Sequence, residues 1–222
     1  MREIAFDTET TGLDPADGHR VIEIGCIELF NMLPTGRTYH VYLNPERDVP
    51  VEALAVHGLS ADFLRGKPTF AEVVADFVDF LGEARLVAHN AEFDVKFINA
   101  EFARLGFSPL TATRVVDTLA IARRKFPGAP ASLDALCKRF GVDNSARDKH
   151  GALLDAELLA HVYLELMGGR QAGLALSAEA LTASVARAER RYRAPRPHAP
   201  DDDELAAHAA FVAQIPEAIW RR

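Results

Sequence analysis

Period-two alternation of apolar and polar residues, rich in β-branched side chains, occurs three times before Asn44: over Glu3 to Asp7, Arg20 to Phe30 and Arg37 to Leu43. The short connections carry Gly, Pro and Asn, so the three segments predict an antiparallel meander. The pattern then switches. Helical spacing fills FAEVVADFVDFL, the short strand RLVAH follows, and EFDVKFINAEFARLG is helical again with Gly106 as its stop. Further helices are expected from Asp117 to Lys125, Ser132 to Phe140 and Gly151 to Met167. A meander followed by helices and short strands predicts an α/β domain whose mixed sheet is covered by helices on both faces.

After Gly168 and Gly169 the sequence becomes alanine-rich and charged, and the prolines and acids of RAPRPHAPDDDE read as a tether. The organisation expected is a folded body over 1–170, a helical or Pro-rich linker over 171–200 and a terminal segment over 201–222. That segment holds an amphipathic piece, DELAAHAAFVAQI, and the single tryptophan, Trp220. A tethered apolar helix needs a surface, either its own body or a partner.

With 222 residues, 49% of them hydrophobic, the chain can bury a full core. No stretch approaches the roughly 20 apolar residues of a membrane span, and MREIAFDTET is charged where a secretory signal needs an apolar run. A cytoplasmic protein with no membrane partner is expected. Cys26 and Cys137 sit among apolar residues at unlike positions, as free core thiols do. The net charge of -7 argues against gripping nucleic acid by bulk attraction. A nucleic-acid substrate would need metal ions or a tethering partner to offset the repulsion.

Acidic residues occur where apolar ones belong. Asp7 and Glu9, two apart, share one face of an extended chain. Alone, such a pair is an ordinary solvated exit from a strand. Asp94, however, heads a helical stripe with Phe97, Ile98, Phe102 and Leu105, and Asp155 heads another with Leu158, Leu159, Val162 and Leu166. Burying an unpaired carboxylate costs several kcal/mol, so these stripes need a cation or a dense set of donors. Four oxygen donors arriving together suit Mg²⁺ or Mn²⁺, and paired metals are an established device for displacement at phosphorus. His150 precedes the Asp155 helix, and histidine is the residue type whose charge changes near neutrality, which suits a base for an attacking water. Asp117 and Asp134 read as helix-opening residues. The basic run Arg123 to Lys125 is too short to count as a binding stripe, and Arg147 and Lys149 flank the histidine as either phosphate contacts or solvated loop.

FDTETTG, HNAEFD and HGALLDAELL resemble, in order and spacing, the three motifs of the DEDD exonuclease superfamily in its histidine variant. VVDTLAIARRKFPG, SLDALCKRFGVDNS and HGALLDAELLAHVYLELMGG narrow the resemblance to the epsilon proofreading subunits of bacterial DNA polymerase III, from Ile4 to about Gly169. The resemblance implies a ribonuclease H-like mixed sheet and 3′→5′ removal of nucleoside 5′-monophosphates from DNA 3′ ends. It makes Asp7, Glu9, Asp94 and Asp155 the ligands of two divalent ions, with Asp7 bridging both, and His150 the general base. Thr10, Gly12, Leu13, His57, Asn90 and Phe93 would line the substrate groove. The terminal segment is similar to the one by which the family binds the polymerase alpha subunit. Gln171, Leu174 and Leu176 stand where the family carries a sliding-clamp contact, without its terminal aromatic. The function expected is proofreading within a replicative polymerase. The alternatives are a free-standing exonuclease acting on RNA or short oligonucleotides, and a mainly structural polymerase subunit.

Overall fold

The computed structural model describes residues 1–145, 149–169 and 199–216. Strands β1 (Arg2–Thr10), β2 (Val21–Phe30) and β3 (Leu33–Tyr42) form the expected meander, and β4 (Arg85–Ala88) and β5 (Val115–Asp117) complete a five-stranded sheet of order β3-β2-β1-β4-β5. The meander pairs are antiparallel, whereas β4 runs parallel to both β1 and β5. The sheet is therefore mixed.

The helices are α1 (Val51–His57), α2 (Ala61–Leu64), α3 (Phe70–Leu81), α4 (Ala91–Leu105), α5 (Thr118–Lys125), α6 (Leu133–Phe140) and α7 (Ala152–Leu166). Strand alternation divides the sheet's side chains between two cores. Ile4, Phe6, Ile24, Cys26, Leu86 and Ala88 join Phe70, Phe77, Phe97 and Phe102 from α3 and α4. Ala5, Ile27, Leu29 and Val87 join Leu136, Leu159, Val162 and Leu166 from α6 and α7. These are the two helical layers that the sequence pattern predicts.

Charged residues tie the layers to the sheet. Arg20 forms a fork to Glu101 of α4, Nε to Oε1 at 2.7 Å and Nη2 to Oε2 at 2.9 Å, a geometry that fixes orientation as well as distance. On the other face Tyr163 Oη donates to Glu3 Oε1 at 2.9 Å.

Several local expectations are corrected. β1 runs on to Thr10, so Asp7 and Glu9 lie within it rather than at its end. β3 starts at Leu33 because Leu29 and Phe30 pair with Pro34 and Leu33. Leu105, expected in the apolar stripe of α4, is 39% exposed, because the core contribution of that helix ends at Phe102. Gly106 closes α4 in the left-handed conformation (φ 75°), as expected.

The chain divides into two units, Met1–Gly173 and Leu174–Arg222. In the second, α8 (Asp202–Ala213) opens on a capping box in which Asp201 accepts from Glu204 N–H at 2.8 Å. Among the described residues no helix is long and apolar enough to cross a membrane. Gln171, Leu174 and Leu176, expected to contact a sliding clamp, lie outside the described residues together with Arg147 and Trp220.

Candidate active site

β4 pairs with β1 at Glu3, Ile4 and Ala5, while β1 stays paired with β2 as far as Thr10. Past Phe6 one edge of β1 has no strand beside it, and its backbone donors need other partners. α4 begins in that gap. Asp94, in its first turn, accepts from Thr8 N–H at 3.0 Å and from Thr8 Oγ1 at 2.7 Å, both on Oδ1. Asp94 is 3% exposed, and burial pushes its carboxyl up to about 7 against the pull of the two Thr8 bonds. An acid held so stays ionised at neutral pH where a cation offsets its desolvation.

Asp7 and Glu9 flank Thr8, and Asp155 meets them from the other helical layer. It lies in the first turn of α7, is 2% exposed and is hydrogen-bonded to His150 through Oδ2, 3.2 Å from Nδ1. Donor atoms of Glu9, His150 and Asp155 all lie within 4.8 Å of one another. The carboxylates are hard oxygen donors, which fit Mg²⁺ or Mn²⁺; the imidazole beside them is a softer nitrogen donor that these ions do not need as a ligand. His150 is held from behind: its N–H reaches Val56 O at the end of α1 (3.3 Å), and Lys149 covers Gly58, where a Cβ would lie 2.7 Å from Lys149 Cδ.

Asp7, Glu9, Asp94, Asp155 and His150 line one cavity of about 550 Å³. Leu119 and Arg123 of α5 and Ser132 and Asp134 at the start of α6 line it as well. Asn90 lines it too, in the left-handed conformation (φ 66°, ψ 49°) that Asn tolerates better than other side-chain-bearing residues. Asp117 pins that turn. Its Oδ1 accepts from Asn90 N–H at 3.1 Å and also caps α5 through Leu119 N–H at 2.9 Å. Asp134 is in the first turn of α6, whose cap is Ser132, and accepts from Asn144.

A second cavity of about 490 Å³ borders the first across Thr8, Glu9 and Phe93. Thr10, Gly12, Leu13 and His57 line it. A Cβ at Gly12 would lie 2.3 Å from the His19 ring, which is hydrogen-bonded to Thr11 Oγ1, so any larger residue there must displace that ring. Leu13 stands 84% exposed on the rim. His57 is 6% exposed; its Nδ1 accepts from Leu59 N–H at 2.9 Å, which places the ring proton on Nε2. Nε2 is buried without a partner among the described residues. Burial, helped by the Lys149 charge, holds the ring's pKa below the ordinary value.

Thr8, Gly25, Asp117 and Arg123 take places in or beside the site that the sequence reading did not give them. The signal for Thr8 is its position between the two strand carboxylates. Gly25 pairs with Asp7, and a Cβ there would lie 2.3 Å from the α7 backbone at Ala152 and Leu153. Its absent side chain lets Asp155 approach.

The exonuclease family (RNase_T) matches residues 4–163. DNA polymerase III subunit epsilon of Escherichia coli K12 is 47% identical over 237 residues, covering 99% of this chain and 97% of that protein. Its counterpart in Rickettsia conorii is 55% identical over 174 residues, covering 77% and 76%. Among solved structures, the nuclease domain of 3′hExo, a DEDDh family member bound to rAMP, shares the fold at a TM-score of 0.63 and 21% identity, covering 75% of this chain and 91% of that one. The four carboxylates and the histidine thus sit in a chain that belongs to the exonuclease family and, within it, stands with the epsilon subunits of DNA polymerase III.

Proposed function

We propose that this chain is a 3′→5′ exonuclease that proofreads for DNA polymerase III, releasing nucleoside 5′-monophosphates. The observation that carries the reading is the cavity itself. Five titratable side chains from three distant segments line it together, and it borders, at Thr8, Glu9 and Phe93, a second chamber beside His57.

Asp7, Glu9, Asp94 and Asp155 would hold two divalent cations, Mg²⁺ or Mn²⁺. When bound, these supply charge stabilisation at the scissile phosphate and at the departing 3′ oxygen. His150 donates Nδ1–H to Asp155, which leaves the basic lone pair on Nε2 to take the proton of the attacking water. Water adds to the terminal phosphorus as the bond to the penultimate 3′ oxygen breaks. Thr10, Gly12 and Leu13 would hold the terminal nucleotide, and His57 Nε2–H offers it a donor that has no partner among the described residues.

The relatives' names place them in DNA polymerase III, and for this chain we assign the contact with the alpha subunit to the terminal segment. Leu205 and Phe211 of α8 are exposed apolar side chains suited to a docking face. Residues Gln171, Leu174 and Leu176 are assigned to a sliding clamp. Tethering raises the local concentration of the nuclease at the primer end, which suits an acidic protein with little DNA affinity of its own.

The test is cleavage, at single-nucleotide resolution, of a 3′-mismatched DNA primer and its RNA equivalent with Mg²⁺ or Mn²⁺. Stepwise loss of DNA 3′ nucleotides is expected, abolished in the Asp7→Ala/Glu9→Ala variant and strongly slowed in His150→Ala. An inert, folded wild type would overturn the catalytic reading, and preference for RNA would overturn the proofreading one. Copurification with alpha after removal of residues 201–222 would overturn the docking assignment.

A further inference from the structure

The basic run at the end of α5 is divided by the fold. Lys125 Nζ donates to Leu166 O of α7, so its charge is spent on a helix C-terminus. Arg123, two residues earlier, lines the carboxylate cavity instead. Leu119 and Arg123 are four apart, share a helix face and both line the cavity wall. The helix is fixed beneath them, because Asp117 caps it and holds the Asn90 turn with the same oxygen.

Arg123 is the sole Lys or Arg among the described residues that line this cavity, whose lining also includes Asp7, Glu9, Asp94, Asp155 and Asp134. Among the described residues no carboxylate lies within ion-pair distance of it. A guanidinium that shares a cavity with five acids and, among the described residues, pairs with none of them is placed for an anion from outside, and its fork suits the oxygens of a phosphate.

The position selects which phosphate. The second cavity borders the carboxylates at Glu9 and Phe93 and has no Lys or Arg in its described lining. On the function proposed above, the terminal nucleoside enters that chamber and the scissile phosphate lies over the carboxylates. The strand 5′ to it then leaves over the part of the carboxylate cavity that the second chamber does not share, and the lining of that part includes Arg123. We propose that Arg123 binds the phosphodiester immediately 5′ to the scissile one, and so sets the preference for a polynucleotide over a single nucleotide ester. This rests on the exonuclease reading.

Two substrates separate the claims: a single-stranded DNA oligonucleotide, and the p-nitrophenyl ester of thymidine 5′-monophosphate. The ester has the terminal nucleoside and the scissile phosphate but no phosphate beyond. With the full chain and Mn²⁺, Arg123→Ala should lower the ratio of kcat/KM for oligonucleotide to that for ester about tenfold, mainly through KM, as expected for losing a charge-assisted contact at an exposed site. The slope of log affinity against log salt should fall by roughly 0.7, the share of one phosphate contact on a single strand. Arg123→Lys should restore part of the ratio, having charge without the fork. Equal losses on both substrates, or no change on either, would overturn the subsite while a wild type active on both keeps the exonuclease reading. A wild type inert on both would overturn that reading and this one with it.

Discussion

Replacing one hydrogen of Gly25 by a methyl group should remove most of the catalytic rate while leaving the protein folded. Gly25 pairs with Asp7 on one side and His40 on the other, beneath the start of α7. A Cβ at this position would lie 2.3 Å from Ala152 C and Leu153 N and 2.4 Å from Ala152 O, where ordinary contact begins at 3.4 Å. Those atoms are helix backbone, not the tip of a flexible side chain. Ala152 itself is fully buried, so the helix must retreat as a unit by about 1 Å, given how little a close-packed interior yields.

Two consequences differ in size. Overpacking of this kind costs about 1–3 kcal/mol, partly offset by the roughly 0.5–1 kcal/mol that Ala gains over Gly within a regular element. For a chain of this length each kcal/mol lowers Tm by roughly 2–4 °C, so a loss of several degrees is expected. Catalysis is far more sensitive, because Asp155 moves with its helix and a displacement of about 1 Å costs on the order of a hundredfold. Gly25→Ala should therefore show a kcat on labelled oligonucleotide reduced about a hundredfold, with a higher Mn²⁺ requirement and a modest drop in Tm. Gly66→Ala, where an added Cβ meets nothing within 4 Å, is the control and should match wild type. Wild-type kcat in Gly25→Ala, with or without a lowered Tm, would refute the argument that this glycine sets the position of Asp155.

Thr8→Val keeps the shape of the side chain and removes one of the two donors on Asp94, so the half-saturating Mn²⁺ concentration should rise about 10- to 100-fold; an unchanged metal titration would refute the role given to Thr8. His57 has a folded pKa below its ordinary 6.5, so as pH falls below that value the unfolded chain takes up the proton first and stability drops with pH. Thermal melts from about pH 7 to about pH 5 should show a shallower loss in His57→Gln, and equal slopes would refute the burial argument.

Much of the fold was legible in the sequence because one face of each strand or helix is apolar and the other is not. The Asp94 and Asp155 stripes were legible for a related reason: an acid heading an apolar face is a local contradiction, visible without coordinates. β5 escaped notice because three residues, Val115 to Asp117, become a strand through pairing with β4, and alone they resemble a helix start. Helices α1 and α2 are short and half exposed, so no apolar stripe announces them. The roles of Thr8, Gly25 and Arg123 were illegible because each depends on a partner brought from far along the chain. Thr8 meets Asp94 across 86 positions, and Gly25 meets Ala152.

The mixed sheet also explains why the chemistry gathers at one end. β1, β4 and β5 run parallel, so their C-terminal ends lie side by side. From those ends come Asp7 and Glu9, His89 and Asn90, and the Asp117 turn that leads to Leu119 and Arg123. Ligands favour this end of parallel strands, where helix starts gather. β1 goes further than β4, through Thr10, and the overhang converts strand residues that would pair with β4 into residues that face a cavity. An antiparallel β4 would have brought the other end of that strand to the carboxylates and carried the Asn90 turn to the opposite edge. Strand direction, set by the crossover through α1, α2 and α3, therefore decides whether Asp94 can reach Thr8 at all.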